Sequence, residues 1–224
     1  MPTLDLPETY ERVLFIGENG SGKTYLAEQM LAYYDRWIAV DLKGDLKPPC
    51  DFTILRTPED RRWSGPWRPE KILYRPRVGY NNGPWHNEVL RAIYARAQKE
   101  GKRKPFILYL DEGLMMSKLG DTTWLESLIV AGRSLQVGVW ISSQRPRHIP
   151  VEIRSEAWRW YIFALGYKAD EKEVIQYSKG QVTEFDLQRL DGDYSFYEIR
   201  RTKGGKKHVR KMPPLVRALP ESVH

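Results

Sequence analysis

The chain has 224 residues and a formal net charge of +7, from 36 Lys and Arg against 29 Asp and Glu. This length predicts one domain, with or without an appendage, and is enough to bury a core without disulfide bonds. The one cysteine, Cys50, excludes an intramolecular disulfide, no apolar run approaches the ~20 residues of a transmembrane helix, and no apolar N-terminal segment indicates secretion. We therefore expect an intracellular protein, whose positive charge permits a polyanionic partner without establishing one.

Apolar strand-like runs alternate with helix-like segments along the chain, which is typical of an α/β domain with a mostly parallel sheet. The predicted strands are 12–16, 37–40, 51–55, 71–74, 105–110, 137–142 and 158–164. The predicted helices are 23–34, 85–99, 122–135 and 169–177. The chain ends in a predicted hairpin, 194–200 and 206–211, around Lys203-Gly204-Gly205.

A phosphate-binding loop is predicted at GENGSGKT, which fits G-x-x-x-x-G-K-[ST] between the first strand and the first helix. Its glycines let backbone N–H groups surround a phosphate, and the helix dipole points its positive end at the same anion. Lys23 is expected to reach the β- and γ-phosphates, and the Thr24 hydroxyl to ligate Mg²⁺. A chance glycine-rich turn is the alternative. The predicted nucleotide-binding residues are Gly17, Glu18, Asn19, Gly20, Ser21, Gly22, Lys23 and Thr24.

Two carboxylates follow the apolar strand 105–110, at the sheet edge where ligands bind in open α/β folds. Asp111 is expected to hold Mg²⁺ together with Thr24, and Glu112 to orient and deprotonate a water aimed at the γ-phosphate. The alternative is that both carboxylates cap the next segment. A glutamate beside the metal aspartate favours hydrolysis over transfer to a small acceptor. Gln144, after the next strand, is expected to contact the γ-phosphate or the water, or else belongs to an ordinary polar loop.

Four sequence segments, taken in their order along the chain, indicate a family: GENGSGKT at 17–24, VDLKGD at 40–45, LYLDEG at 108–113 and AGRSLQVGVWISSQRP at 131–146. Over residues 12–165 this order resembles the FtsK–HerA superfamily of DNA-translocating ATPases, with Leu42 where proline is usual. The resemblance implies a RecA-like P-loop NTPase fold, ATP and Mg²⁺ as cofactors, and a hexameric or pentameric ring with ATP at the subunit interfaces. It implies Gln144 as a sensor and an arginine finger acting in trans, for which Arg133 is the candidate. A surface charge or an ion pair within one subunit is the alternative for Arg133.

The sequence shows no membrane segment and no barrel domain before the phosphate loop, so it is most similar to compact genome-packaging ATPases of double-stranded DNA viruses. We expect a P-loop ATPase domain at 1–198 and a basic hairpin and tail at 199–224. The expected function is ATP-driven packaging of DNA into a capsid, in the host cytoplasm or at a virion vertex. The alternatives are a plasmid or prophage helicase or conjugation-type motor, a small P-loop kinase, and a nucleotide switch.

Three basic stretches, at 61–77, 145–159 and 200–217, are candidate surfaces for DNA, because basic residues neutralise phosphates without sequence preference. Each is equally interpretable as a solvated face. The tail is alternatively a docking segment for a neighbouring subunit or for a portal or capsid protein. Lys118, with Met115 and Met116, is expected in a loop that lines the pore of the ring. The candidate contacts to DNA are Arg61, Arg62, Arg68, Lys118, Arg147, Lys206, Lys207 and Arg210.

Overall fold

The computed structural model describes residues 4–63, 68–77, 83–100, 103–112, 123–190 and 192–214. Within them the strands are β1 (Val13–Ile16), β2 (Trp37–Val40), β3 (Thr53–Leu55), β4 (Lys71–Tyr74), β5 (Phe106–Leu110), β6 (Val137–Ser143), β7 (Arg159–Ile162), β8 (Phe196–Arg201) and β9 (Lys207–Met212). The helices are α1 (Lys23–Ala32), α2 (Gly83–Glu100), α3 (Thr123–Ala131), α4 (Val151–Glu156), α5 (Lys168–Tyr177) and α6 (Glu184–Gln188). Each helix in these ranges is too short or too polar to cross a bilayer.

The strands form one nine-stranded sheet in the order β3-β4-β2-β5-β6-β1-β7-β8-β9. Pairing is parallel from β3 to β7 and antiparallel for β7–β8 and β8–β9. Strands β1, β2 and β5 are buried at every position, because parallel strands are covered on both faces and therefore consist of apolar runs. The predicted α/β fold class with a mostly parallel sheet is confirmed.

The two faces of the sheet carry separate apolar clusters, since successive side chains of a strand point to opposite faces. Leu14, Ile38 and Leu108 belong to the cluster that includes apolar side chains of α2 and α3. Phe15 belongs to the other cluster, with Met30 of α1. Full burial of each such side chain contributes about 1.5–3 kcal/mol. The sheet is thus clamped between helices, and the carboxyl ends of its central strands are held rigidly at one edge.

The predicted strands are all present, and β2 and β4 have the predicted bounds. The helix predicted for 122–135 ends earlier, at Ala131, and the chain reaches β6 through a turn in which Gln136 has a φ of 54°. Two short helices, α4 and α6, were not predicted, because five or six residues are too few to show a helical period. A capping box between Thr183 and Asp186 starts α6.

The C-terminal hairpin is present as β8 and β9. Because β8 pairs with β7 along Arg159–Ile162, the hairpin is the antiparallel end of the common sheet. Phe196 and Met212, at the base of the hairpin, are completely buried in the core. The boundary predicted between residues 198 and 199 therefore falls inside β8, a strand of the same nine-stranded sheet.

Candidate active site

The phosphate loop connects the end of β1 to the start of α1, as predicted. Its backbone is tied to two neighbouring strands, because Gly17 N donates to Ser143 O at 3.2 Å and Glu18 N to Ala164 O at 2.9 Å. A Cβ at Gly17 would lie 2.6 Å from Cβ of Phe163, so only glycine fits there. Gly22 has a φ of 101°, which glycine adopts without strain just before α1 begins. The loop is thus fixed at the positive end of α1, where an anion binds.

Lys23 lies inside this loop, where its Nζ donates to Glu18 O at 2.8 Å. Burial lowers the pKa of Lys23, while the nearby carboxylates of Glu112 and Asp111 raise it. Its ammonium is therefore held at the mouth of the loop, in the position expected for contact with the β- and γ-phosphates.

Asp111, at the carboxyl end of β5, accepts hydrogen bonds from three hydroxyls on its Oδ1. The donors are Ser142 at 2.8 Å, Tyr109 at 3.0 Å and Thr24 at 3.4 Å. Burial raises the pKa of Asp111, and the hydrogen bonds from Ser142 and Tyr109 oppose this rise. A carboxylate beside a hydroxyl, next to a phosphate site, is a donor set that Mg²⁺ takes together with substrate phosphates and water. Thr24 and Asp111 therefore fit the ion that the resemblance implies.

Glu112 stands next to this pair with a left-handed backbone, φ 51°, and its N–H donates to Ser142 Oγ at 2.9 Å. Its Oε1 accepts a hydrogen bond from Gln144 Nε2 at 3.2 Å and pairs with Lys43 Nζ at 3.1 Å. The carboxyl ends of β5 and β6 thus bring Glu112 and Gln144 into direct contact. Their chemical roles stay predictions.

Lys43 is a further residue of the site, for which the sequence pattern had indicated no role. The segment after β2 is folded around the fully buried carboxylate of Asp41, which accepts N–H bonds from Gly44 at 2.7 Å and from Asp45 and Leu46 at 3.2 Å. Arg75 donates two further hydrogen bonds to Asp41, at 2.9 and 2.7 Å. This turn holds Lys43 beside Glu112. The signal was available in part, since VDLKGD follows a strand whose carboxyl end lies at the same edge.

An open cleft of about 400 Å³ joins the phosphate loop to Lys43, Asp111, Glu112 and Tyr194. This volume lies within the usual range for small-molecule sites. Its lining combines two ammonium groups with carboxylates, so it is suited to a polyanion that arrives with a divalent cation.

Arg133 lies elsewhere in its own subunit. It is exposed in the turn before β6, with its guanidinium 5.8 Å from the ring centroid of Trp158. Gln144 follows the carboxyl end of β6, a strand about 20 Å long. Arg133 is therefore at the opposite edge of the sheet from its own phosphate loop, and a role in trans stays a prediction.

The candidate DNA contacts do not form one surface. Arg61 and Arg62 lie in the connection between β3 and β4, beside α2, and Lys206, Lys207 and Arg210 lie in the β8–β9 hairpin, at the opposite end of the strand order. Eight strand spacings, about 38 Å, separate the two edge strands, β3 and β9. Lys118 and the predicted pore loop lie outside the described residues.

Most of the candidate DNA-binding side chains make contacts with other residues of the chain. Arg62 pairs with Asp60 at 2.6 Å, Arg147 with Glu173 at 3.8 Å, Arg210 with Glu198 at 2.5 Å, and Arg68 with Glu100. Lys207 donates to Tyr177 O, and burial lowers the pKa of Lys207 to about 8. Among the described residues, Arg61 and Lys206 are exposed and make no ion pair. The contacts to DNA stay predictions. Arg61 and Lys206 are the two candidates whose charge is not neutralised by a described carboxylate.

The glycine-rich loop between β1 and α1, the acidic pair after β5 and the glutamine after β6 form the arrangement that the P-loop motif predicts for a nucleoside triphosphate site. No protein-family model matches the chain. The DNA packaging ATPase P9 of Enterobacteria phage PRD1 is 27% identical over 176 residues, which cover 77% of this chain and 72% of P9.

Two solved structures share the fold. The genome packaging NTPase B204 from Sulfolobus turreted icosahedral virus 2, in complex with AMPPCP, superposes with a TM-score of 0.69 at 16% identity, over 92% of this chain and 98% of B204. The plasmid coupling protein TrwB, in complex with the GTP analogue GDPNP, gives 0.65 at 13% identity, over 95% and 87% of the two chains. The predicted resemblance to P-loop packaging ATPases is confirmed.

Proposed function

We propose that the protein is an ATPase that drives packaging of double-stranded viral DNA into a capsid. ATPase activity is supported by one observation: the phosphate loop, the Thr24–Asp111 pair and Glu112 all line the same cleft. The similarity to P9, a DNA packaging ATPase, supports the DNA substrate.

Nucleotide binding follows from the geometry of the loop. Backbone N–H groups and the positive end of α1 bind the phosphates, and Lys23 adds a full charge at the mouth of the loop. Thr24 and Asp111 would hold Mg²⁺, which neutralises phosphate charge when it is bound.

Hydrolysis is assigned to Glu112. A water attacks the γ-phosphorus, its proton passes to the Glu112 carboxylate, and ADP leaves as the bond to the γ-phosphorus breaks. Lys43 and Gln144 are positioning residues, because each holds Glu112 Oε1. A bound γ-phosphate competes with Glu112 for the Lys43 ammonium, so nucleotide binding releases the base towards the water.

The active assembly is proposed to be a ring in which Arg133 of one subunit reaches the nucleotide of the next. Its exposure and its distance from its own phosphate loop support this, because a finger acting in trans must face outwards. A portal or capsid protein at the virion vertex is the proposed partner of the ring.

The decisive measurement is ATP hydrolysis with and without double-stranded DNA, compared between the wild type and Glu112→Gln. We expect DNA to stimulate the wild type and Glu112→Gln to lose about 10²-fold or more in turnover, because an amide cannot accept the proton from water. ATP affinity should be retained. Glu152→Gln, an exposed change on α4, is the control. Normal turnover in Glu112→Gln would remove the base assignment, and hydrolysis indifferent to DNA would count against the motor.

A further inference from the structure

A second cleft, of about 330 Å³, opens directly beside the phosphate loop. Glycine, proline, aromatic and aliphatic residues line it, and no charged or amide side chain of the described residues does so. Such a cleft offers a place for a flat apolar group but no ionic contact for a phosphate.

The floor of this cleft is two phenylalanines, Phe163 after β7 and Phe196 at the start of β8. Their ring centroids are 5.1 Å apart at an interplanar angle of 30°, and both side chains are buried. Phe163 also packs against the phosphate loop, since a Cβ at Gly17 or at Gly22 would lie 2.6 or 3.5 Å from it. The floor and the phosphate loop are therefore one rigid unit.

The walls of the cleft are two exposed tyrosines, Tyr25 on α1 and Tyr194 before β8. Tyr194 is 61% exposed and has a φ of 55°, a conformation that bulky residues rarely adopt. Its Cδ1 is 3.5 Å from the Cβ position of Gly22. An aromatic side chain kept in water on a strained backbone gains little from the fold, and such strain concentrates at functional sites.

Gly22, Tyr25 and Tyr194 line both this cleft and the phosphate cleft. A nucleotide whose phosphates lie on the loop places its base about one ribose from the loop, and the aromatic cleft adjoins the loop at Gly22. We infer that this cleft binds the nucleobase of the nucleoside triphosphate, with Tyr194 stacked on the face of the base. The inference rests on the proposed ATPase site.

The lining also determines which bases are accepted. Stacking on an aromatic ring tolerates every base, and a tyrosine hydroxyl both donates and accepts, so it suits adenine and guanine alike. Strong rejection of an analogue requires buried polar groups that it leaves unpaired, and the described lining of the aromatic cleft provides no charged or amide side chain for this purpose. The site is therefore a purine site with little preference between ATP and GTP, and the smaller stacking surface of pyrimidines binds more weakly.

The test is the dissociation constant of ATPγS, GTPγS, UTP and inorganic tripolyphosphate for the full chain, by calorimetry. Tripolyphosphate has no base and reports on the phosphate loop alone. In the wild type we expect ATPγS and GTPγS within about threefold of each other. Tyr194→Ala should weaken both about tenfold or more and leave tripolyphosphate unchanged. Tyr194→Phe should retain wild-type affinity, because stacking does not need the hydroxyl. Tyr194→Asn suits the left-handed backbone and should behave like Tyr194→Ala.

Phe185→Ala is the matched control, since Phe185 is another exposed aromatic, on α6, and contacts Arg189. An equal loss of tripolyphosphate and ATPγS affinity in Tyr194→Ala would overturn the base assignment, as would unchanged affinity for ATPγS. A preference for ATP over GTP of a hundredfold, or UTP affinity equal to that of ATPγS, would overturn the proposed purine selectivity. A wild type that binds neither nucleotide nor tripolyphosphate would instead remove the ATPase proposal itself.

Discussion

The two ends of the parallel strands handle charge differently. At the carboxyl edge, Lys43 and Glu112 form an ion pair that faces an open cleft, with the Lys43 side chain 42% exposed. At the amino edge, Arg159 is 1% exposed between Glu11 at 3.0 Å and Glu198 at 2.8 Å. The open pair can exchange its partner for a ligand, whereas the buried cluster can only hold elements together.

Other arginines of the amino edge follow the pattern of Arg159. Arg12 is buried, donates to Ile129 O at 2.9 Å and lies 3.6 Å from Glu156. Arg36 pairs with Glu70 and Glu100. Arg133 is the exception, since it makes no ion pair within the described ranges. Burial lowers the pKa of Arg12, and the nearby positive charge of Arg133 lowers it further. A cation left uncompensated beside another cation gives up stability, which is consistent with a partner in another subunit.

The largest effect is expected when the buried cluster is broken. Arg159→Met should lower the free energy of unfolding by about 3–5 kcal/mol, because it leaves the buried carboxylate of Glu11 without its cation and leaves Glu198 with Arg210 as its remaining partner. Chemical denaturation measures this change. Arg200→Met, at an exposed pair with Asp5, is the control and should cost under about 1 kcal/mol. Equal losses in the two variants would contradict the division between a structural and a functional edge.

Arg133→Ala should reduce turnover about 10³-fold, the usual contribution of an arginine finger, with no decrease in the free energy of unfolding. The sharper measurement is subunit mixing with Lys23→Ala. Each protein is nearly inactive alone, but mixed rings contain interfaces that join an intact phosphate loop to an intact Arg133. Partial recovery of ATP hydrolysis is expected. Proven co-assembly without recovery would make Arg133 a structural residue of its own subunit.

Lys43→Met should reduce turnover by roughly tenfold, since Glu112 loses one of its two side-chain partners and the γ-phosphate loses a cation. Affinity for ATPγS should fall while affinity for ADP stays constant, a difference that a purely structural lysine would not produce. Lys43→Arg should restore part of both. Lys47→Met, an exposed change in the same segment, is the control. Equal losses of ATPγS and ADP affinity would place Lys43 outside contact with the γ-phosphate.

Some parts of the site can be predicted from the sequence alone, and others depend on the fold. The phosphate loop and Asp111 were predictable, because each is a local pattern at the end of an apolar run. The contact of Lys43 with Glu112 was not, because it depends on β2 being the neighbour of β5 and on Arg75 fixing the turn around Asp41. The pairing of Arg210 with Glu198 depends likewise on the register of the β8–β9 hairpin. Local motifs can thus be predicted from the sequence, whereas ion pairs between distant segments depend on the fold.

The smallest effect, on DNA, extends the comparison to the lateral edges of the sheet. Arg61 and Lys206 are exposed without ion pairs in the described ranges, whereas Arg210 is held by Glu198 and Asp5. A cation already paired releases few counterions from DNA, so Arg61→Gln or Lys206→Gln, whichever removes the cation in contact with DNA, should reduce the magnitude of the slope of log affinity against log salt by about 0.9. Arg210→Gln should leave the slope unchanged and reduce stability instead.

Because about 38 Å separates the two edges, a duplex that passes along one edge will contact only one of these two unpaired cations. A change with Lys206→Gln alone would place DNA along the β8–β9 hairpin, and a change with Arg61→Gln alone beside the connection between β3 and β4. Unchanged slopes in both would remove the lateral edges as DNA surfaces.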